Sequence, residues 1–493
     1  MHTLLITRLA SAALLTWAVS ALAGTTSADT ETLAKQGEYL ARAADCMACH
    51  VLKGSEKPYA GGYAIDSPLG RIYSTNITPS KTHGIGNWTE TQFARAVREG
   101  VAADGRNLYP AMPYPDYRNI SDTDIKALYA YFMTQVAPVD QVPLHVTDLK
   151  FPFNIRASMI GWNFLFAGSP SSPPGPAPNA QLERGRYLVD VLGHCGSCHT
   201  PRNMMMASDK DHYLAGGPVG GWHAPNITSD LVSGIGGWTA EELAGYLKTG
   251  HAVGKAQAAG GMAEAVEHSL RHLSDADLMA MGTYLKSVPA KSTPGQVKPA
   301  YSYGDNRVQH YEFDSEASRQ SLRDADLTSP IGNDGDTSRT YTFVEKEPSG
   351  ARVYANACST CHQPNGRGFE DQYYPSLSNN SAVGSAIPDN LIMTILKGVD
   401  RQGADGHILM PGYEDDLSDA QVAAVANYVR HRFGDPGATA VTPEQVGVLK
   451  TGGPIPLLAQ LGSWAKPALA AVILLAASVL FMRRYRSKSR RRS

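Results

Sequence analysis

Of 493 residues only six are cysteine, and all six lie in three short stretches: "DCMACH" (Asp45 to His50), "HCGSCH" (His194 to His199) and "ACSTCH" (Ala357 to His362). Charge is sparse, at 18% of residues, and no coiled-coil pattern is visible. No Gly-x-Gly-x-x-Gly follows a predicted strand, so no flavin or nicotinamide site can be read. Positive charge is outnumbered by negative over most of the chain. The net charge is −2, and without Arg8 and the seven Lys or Arg of the last eleven residues the body stands at −10. An acidic body argues against nucleic acid as a partner.

Long apolar runs occur only at the two ends. Residues 1–23, "MHTLLITRLASAALLTWAVSALA", have one Arg, an apolar stretch and small residues at Ala21 and Ala23, which reads as a secretory signal peptide. The second run, Pro467 to Met482, is followed by "RRYRSKSRRRS". It is shorter than the roughly 20 residues of a typical span, but Trp464 and Lys466 extend it at the interface. We read residues 464–493 as a membrane anchor with a basic cytoplasmic tail, which leaves everything before it outside.

Between the ends, 43% hydrophobic residues, 47 Gly and 31 Pro fit compact units joined by irregular segments. The length suggests about three domains. "STNITPSKTHGIGNWTETQFARAVREG" from Ser74 is matched by "APNITSDLVSGIGGWTAEELAGYLKTG" from Ala224, and a trimmed third copy keeps "NLIMTILKGV" from Asn390. Each unit opens with a helix around Gly37, Gly185 or Gly350, and each closes with a Ser-Asp-capped helix of apolar spacing three and four. Leu128, Tyr131 and Phe132 are expected to cross the opening helix at Gly37. The boundaries read as follows: first unit 24–167, a Pro- and Ser-rich linker 168–180, second unit 181–289, connector 290–338, third and smallest unit 339–434, linker 435–463.

Cys-x-x-Cys-His is the attachment pattern of a c-type haem. Two thiols on one helical turn form thioethers to the vinyl groups, and the next residue offers its imidazole to iron. Cys46, Cys49 and His50 make the first set, Cys195, Cys198 and His199 the second, and Cys358, Cys361 and His362 the third. Structural zinc needs four ligands, and each unit offers two Cys and one placed His. Disulfides would explain an even count but not a His after every pair. The sixth ligand is expected to be a Met thioether, which raises the potential. Met112 and Met410 each precede Pro on a late loop, and spacing selects Met262 in the second unit, where His251 and His268 are rivals. Asn76-Ile77-Thr78 and Asn226-Ile227-Thr228 match the glycosylation pattern, but their recurrence at one repeat position suggests loop hydrogen bonding and support of haem propionates. Trp88 and Trp238 either close the pockets or fill a small core. His83, His194, His212, His223 and His272 receive no role.

Taken with "LYPAMPYPDY", "GGMAE" and the basic-flanked apolar run, these motifs resemble the triheme cytochrome c subunits of bacterial membrane-bound dehydrogenases, over nearly the whole chain from Gly24. The third unit departs from the pattern in its shortened loop. The resemblance implies a mainly α fold of three tandem cytochrome c-type domains plus a C-terminal membrane-anchoring helix, at the inner membrane with the haem domains in the periplasm. It implies three covalent haems c and a periplasmic catalytic subunit, either a flavoprotein oxidising gluconate, sorbitol or fructose or a pyrroloquinoline quinone enzyme oxidising alcohols. A small third subunit, membrane lipid and ubiquinone as electron acceptor complete the expected partners. The chain itself would have no substrate-oxidising site; the alternative is a multihaem enzyme such as a peroxidase with one open haem.

Overall fold

The computed structural model describes residues 30–51, 57–67, 69–141, 145–168, 178–304, 349–370 and 373–463. The expected signal peptide, the expected anchor and tail at 464–493, the middle of the 168–180 linker and most of the connector lie outside the described residues. Among the described residues no helix is long and apolar enough to cross a membrane.

One helical frame occurs three times. An opening helix (30–43; Ala180–Arg186, continued by a wider turn Tyr187–Leu192; Gly350–Ala357) leads into a one-turn motif helix (Cys46–Cys49; Gly196–His199; Ser359–His362). A middle helix (Glu90–Glu99; Ala240–Thr249; Asp389–Lys397) and a closing helix (Asp122–Thr134; Asp275–Ser287; Asp419–Phe433) complete each unit. The closing helices begin where the Ser-Asp pattern places them: Ser121, Ser274 and Ser418 each accept a hydrogen bond from the backbone N–H three residues on. The middle helices of the first two units are held by capping boxes, Thr89 with Gln92 and Thr239 with Glu242.

Opening and closing helices cross at glycine. A Cβ on Gly37 would sit 2.0 Å from the Ala127 carbonyl oxygen and 2.7 Å from Tyr131 Cβ. Gly185 meets Ala280 O and Tyr284 in the same way, and Gly350 meets Ala424 O and Tyr428. Backbone against backbone is the closest approach two helices can make, and it seats Leu128, Tyr131 and Phe132 in the first core as their spacing suggests. The fold is mainly helical, with four small antiparallel sheets in the loops among the described residues. One of these hairpins, Val399–Gln402 with His407–Met410, ends at Met410.

The first two units are not merely strung together. Their buried residues form one continuous apolar cluster, while the third unit has its own. A reciprocal pair of hydrogen bonds fastens the first two. Tyr39 of the first opening helix donates to Asp277 Oδ2 (2.6 Å) and accepts from the Ser274 N–H (3.1 Å) at the start of the second closing helix. Tyr187, two residues after Gly185 as Tyr39 is two after Gly37, donates to Asp124 Oδ2 (2.6 Å) and accepts from the Ser121 N–H (3.2 Å). Within each unit the residue before the glycine holds the same carboxylate: Gln36 on Asp124, and Arg184 in a two-pronged bond on Asp277. The third unit has Arg352 in the tyrosine position and Gln421 in the aspartate position, so it cannot use this latch.

Instead the third unit docks on the second through polar groups, Arg401 fully buried and Asn390 and Ser381 partly so. Arg401, fully buried, donates to the Ala258 carbonyl (2.7 Å) and to Gln257 Oε1 (3.3 Å). Asn390 exchanges two hydrogen bonds with the His223 backbone, and Ser381 donates twice to the Lys255 carbonyl.

The stretch 435–463 is not the loose linker its polar composition suggests. Val441, Val446 and Leu449 are buried in the third core, and the helix Pro443–Lys450 packs on the closing and middle helices. Three apolar residues among polar ones are enough to seat a short helix whose capping Thr442 and N1 proline define its start. The start of the connector also packs: Tyr301 lies edge-on to Trp238, and its carbonyl accepts from Asn379.

Replacing Tyr39 and Tyr187 together by Phe removes two charge-assisted hydrogen bonds of about 1.5–3 kcal/mol each. The expected outcome is a thermal unfolding midpoint several degrees lower, with protease access appearing first between the first and second units. An unchanged midpoint would mean that the apolar contact alone holds the pair.

Candidate haem sites

The three Cys-x-x-Cys-His motifs share a geometry that extends beyond the motif. The residue just before the first cysteine is left-handed in two units, Asp45 at φ 51° and His194 at φ 38°, which turns the chain from the opening helix into the motif. All six thiols are free. Burial pushes the Cys46, Cys49 and Cys195 thiols up to about 12 and Cys358 to about 11, with Cys198 also raised. Such thiols hold their protons at neutral pH. They suit poorly a thiolate zinc site, and among the described residues no group of three or more His, Cys, Asp or Glu converges as a metal cluster.

Each proximal imidazole is aimed by a backbone carbonyl. His50 Nδ1 lies 2.7 Å from Thr75 O, His199 Nδ1 2.7 Å from Pro225 O, and His362 Nδ1 3.0 Å from Pro375 O. A carbonyl only accepts, so Nδ1 carries the proton and Nε2 presents its lone pair, the orientation by which protein fixes a metal-binding imidazole. Burial lowers the pKa of all three rings, which favours the neutral form that binds iron.

Glycine makes the second half of the cradle. The N–H groups of Gly61, Gly216 and Gly368 donate to the carbonyls of His50 (3.0 Å), His199 (2.7 Å) and His362 (3.1 Å). All three glycines have positive φ, 73°, 87° and 64°. The residue two before each, Tyr59, Leu214 or Gly366, is also left-handed and accepts from Ile77, Ile227 or Leu377 N–H. These positions escape a reading of the motifs alone, because the number of residues from the His to the glycine differs in each unit.

The Asn-Ile-Thr segments close this loop and are no glycosylation sites, because Asn76 and Asn226 are buried. Asn76 Oδ1 accepts from both Thr78 N and Thr78 Oγ1, and its Nδ2 donates to Val139 O; Asn226 repeats this with Thr228 and Lys291 O. The loop hydrogen bonding expected from the repeat is therefore present. The third unit, which lacks Asn-Ile-Thr, uses Ser376-Leu377-Ser378 in its place, with Ser376 Oγ accepting from Ser378 N (3.2 Å).

Met112 and Met410 sit on segments that return to the Cys-x-x-Cys-His motif of their own unit. Met112 precedes Tyr117, whose hydroxyl donates to Ala44 O (2.5 Å); Met410 precedes Tyr413, whose hydroxyl donates to Ala357 O (2.8 Å). Each tyrosine thus ties its methionine loop to the residues just before the first cysteine. Met262 lies at the start of the helix Gly261–His268, partly buried on the shared core together with Met112. Of its rivals, His251 faces Asp405 of the third unit at 3.4 Å, and His268 lies at the other end of the Met262 helix. Trp238 is buried among Tyr246 and Tyr301 with the Lys255 ammonium over its face, which is a core role. His194, given no role by the sequence, meets Tyr117 edge-on across the joint between the first two units.

Gly61→Ala tests the cradle. Its Cβ would come within 2.5 Å of Thr75 O, the carbonyl that holds His50, at a φ that L-residues disfavour. The expected cost is about 2–3 kcal/mol or more. Gly105→Ala, with positive φ but open space around it, should cost only about 1–2 kcal/mol. Equal losses in thermal unfolding would refute the role given to the Thr75 carbonyl.

The cytochrome c family profile matches residues 34–135 and 348–432. The chain is 47% identical to the fructose dehydrogenase cytochrome subunit of Gluconobacter japonicus, over 87% of this chain and 85% of that protein. It is 40% identical to the gluconate 2-dehydrogenase cytochrome c subunit of Pantoea cypripedii (85% and 90% covered), and 36% identical to the cytochrome c subunit of the quinone alcohol dehydrogenase of Gluconobacter oxydans (86% and 83%). With the Cys-x-x-Cys-His cradles on the page, these likenesses lead to one family: the chain belongs to the cytochrome c subunits of dehydrogenase complexes, which bind haem c covalently and carry electrons while another subunit does the catalysis.

Proposed function

We propose that this chain is a three-haem relay that takes electrons from a periplasmic alcohol, sugar or sugar-acid dehydrogenase subunit, flavin- or pyrroloquinoline quinone-dependent, and delivers them to ubiquinone. In this reading residues 1–23 export the chain, residues 464–493 hold it at the cytoplasmic membrane with the basic tail inside, and a small third subunit completes the complex. Haem c, when bound, supplies one-electron oxidation and reduction. Cys46 and Cys49, Cys195 and Cys198, and Cys358 and Cys361 attach the three macrocycles; His50 with Met112, His199 with Met262, and His362 with Met410 ligate iron.

The observation that carries this reading is the threefold Nδ1–carbonyl bond, which leaves Nε2 of His50, His199 and His362 free to bind. The packing between sites supports a relay. The helix that carries Met262 lies against both the motif helix Cys46–Cys49 and the strand Val399–Gln402, whose partner strand ends at Met410. The Cys198 thiol is near enough to add to the upward push on Cys49. One helix of the second unit therefore touches the attachment turn of the first site and the ligand hairpin of the third. Between the first two units the apolar cluster is continuous, from Leu40 to Val288.

Two measurements test this reading. Mass spectrometry of the mature protein should show three haem additions, one on each Cys-x-x-Cys-His peptide; fewer than three would remove a site. Met112→Ala should leave all three attached and make one reduced haem bind carbon monoxide. A reduced spectrum unchanged by carbon monoxide would refute Met112 as ligand.

A further inference from the structure

Beyond the first closing helix, the chain builds an apolar surface that no described residue covers. The helix Ser158–Trp162, continued by the wider turn Asn163–Ala167, leaves Phe164 86% exposed, Leu165 65% and Ile160 63%. Trp162 Nε1 donates to the Met205 carbonyl (3.0 Å), which brings the second unit's loop to this helix, with Met204 70% exposed. Isolated exposed apolar residues are ordinary on a protein surface; a contiguous set marks a contact.

Two further observations select the occupant. The C-terminal helix Leu457–Ser463 arrives at this part of the first unit, where a Cβ on Gly462 would lie 2.5 Å from the Phe153 ring. The chain then continues into Trp464, Lys466 and the apolar run that ends in seven basic residues. The charge here also differs from that of the body. Residues 151–168 hold a single charge, Arg156, stacked 4.5 Å over the Tyr109 ring and donating to Asn107 O, and residues 451–463 hold only uncharged side chains. These two segments carry no acid on a body of net −10, so they can approach anionic headgroups without the repulsion the rest of the surface would meet.

We propose that Ile160, Phe164, Leu165 and Met204 form a face that seats the first and second units on the phospholipid surface of the bilayer into which residues 467–482 insert. The proposal rests on the anchor reading above. The helix lies in the plane of the interface, its apolar side chains entering the headgroup boundary. Met204 follows His199 by five positions, so this seating holds the second motif at the bilayer, where an electron acceptor dissolved in lipid is reached.

The test uses the intact complex in vesicles of phosphatidylethanolamine and phosphatidylglycerol doped with a phospholipid that carries a photoreactive diazirine near its glycerol. The peptides covering residues 151–168 and 203–210 should take up at least tenfold more lipid adduct than those covering the middle helix Ala240–Thr249. Phe164→Ser with Leu165→Ser should cut that labelling at least fivefold and leave turnover with a soluble electron acceptor unchanged. A bare face, or one cross-linked to a protein subunit or to residues 467–482 instead of lipid, overturns the proposal. The tail peptide is read separately: tail labelled with the face bare refutes this proposal alone, and face labelled with the tail bare refutes the anchor alone.

Discussion

A single backbone carbonyl per unit sets the orientation of each proximal histidine, and much of the loop architecture serves to hold that carbonyl in place. Thr75, Pro225 and Pro375 are each followed by a polar-apolar-polar step that folds back on itself, Asn-Ile-Thr twice and Ser-Leu-Ser once. Opposite, a left-handed glycine bonds the histidine's own carbonyl. With its backbone held by the one bond and its Nδ1 by the other, the imidazole has little freedom to rotate, and its remaining nitrogen is directed before any iron arrives. That is preorganisation of a ligand by its surroundings, and it survives in the third unit although the side chains that provide it have changed.

The three units share a frame but not a mode of association. The first two meet through apolar side chains and a reciprocal tyrosine–aspartate latch, in which each opening helix reaches the start of the other's closing helix. The third unit lacks both latch residues and meets the second through Arg401, Asn390 and Ser381, polar groups bonded to backbone atoms and, for Arg401, also to Gln257 Oε1. Buried polar contacts of this kind demand register more than they supply free energy, since each unmet partner costs about 1–3 kcal/mol. The hairpin that ends at Met410 is thereby held in one position against the helix of Met262.

Much of the site is legible in one dimension. The Cys-x-x-Cys-His motifs follow from a pattern whose chemistry needs adjacent residues, and the loops before proline that carry Met112 and Met410 stand out beside them. The helix crossings at Gly37, Gly185 and Gly350 and the serine caps follow from the repeat. The glycine cradle and the serine substitutes of the third unit were hidden because the loops between His and Gly differ in length, so spacing alone does not align them. The helix Pro443–Lys450 was hidden for another reason: Val441, Val446 and Leu449 are too few, in a polar stretch, to announce a core.

The sequence by itself determined the three Cys-x-x-Cys-His motifs, the repeat around them and where the closing helices start, because an attachment motif and a helix cap each act over a few neighbouring residues. Only the tertiary structure decided how the units meet. The deciding side chains, Tyr39, Tyr187, Asp124, Asp277 and Arg401, look in the chain like ordinary surface residues. Their partners lie 63 to 238 positions away, and a hydrogen bond across that separation exists only once both cores have formed and been brought together.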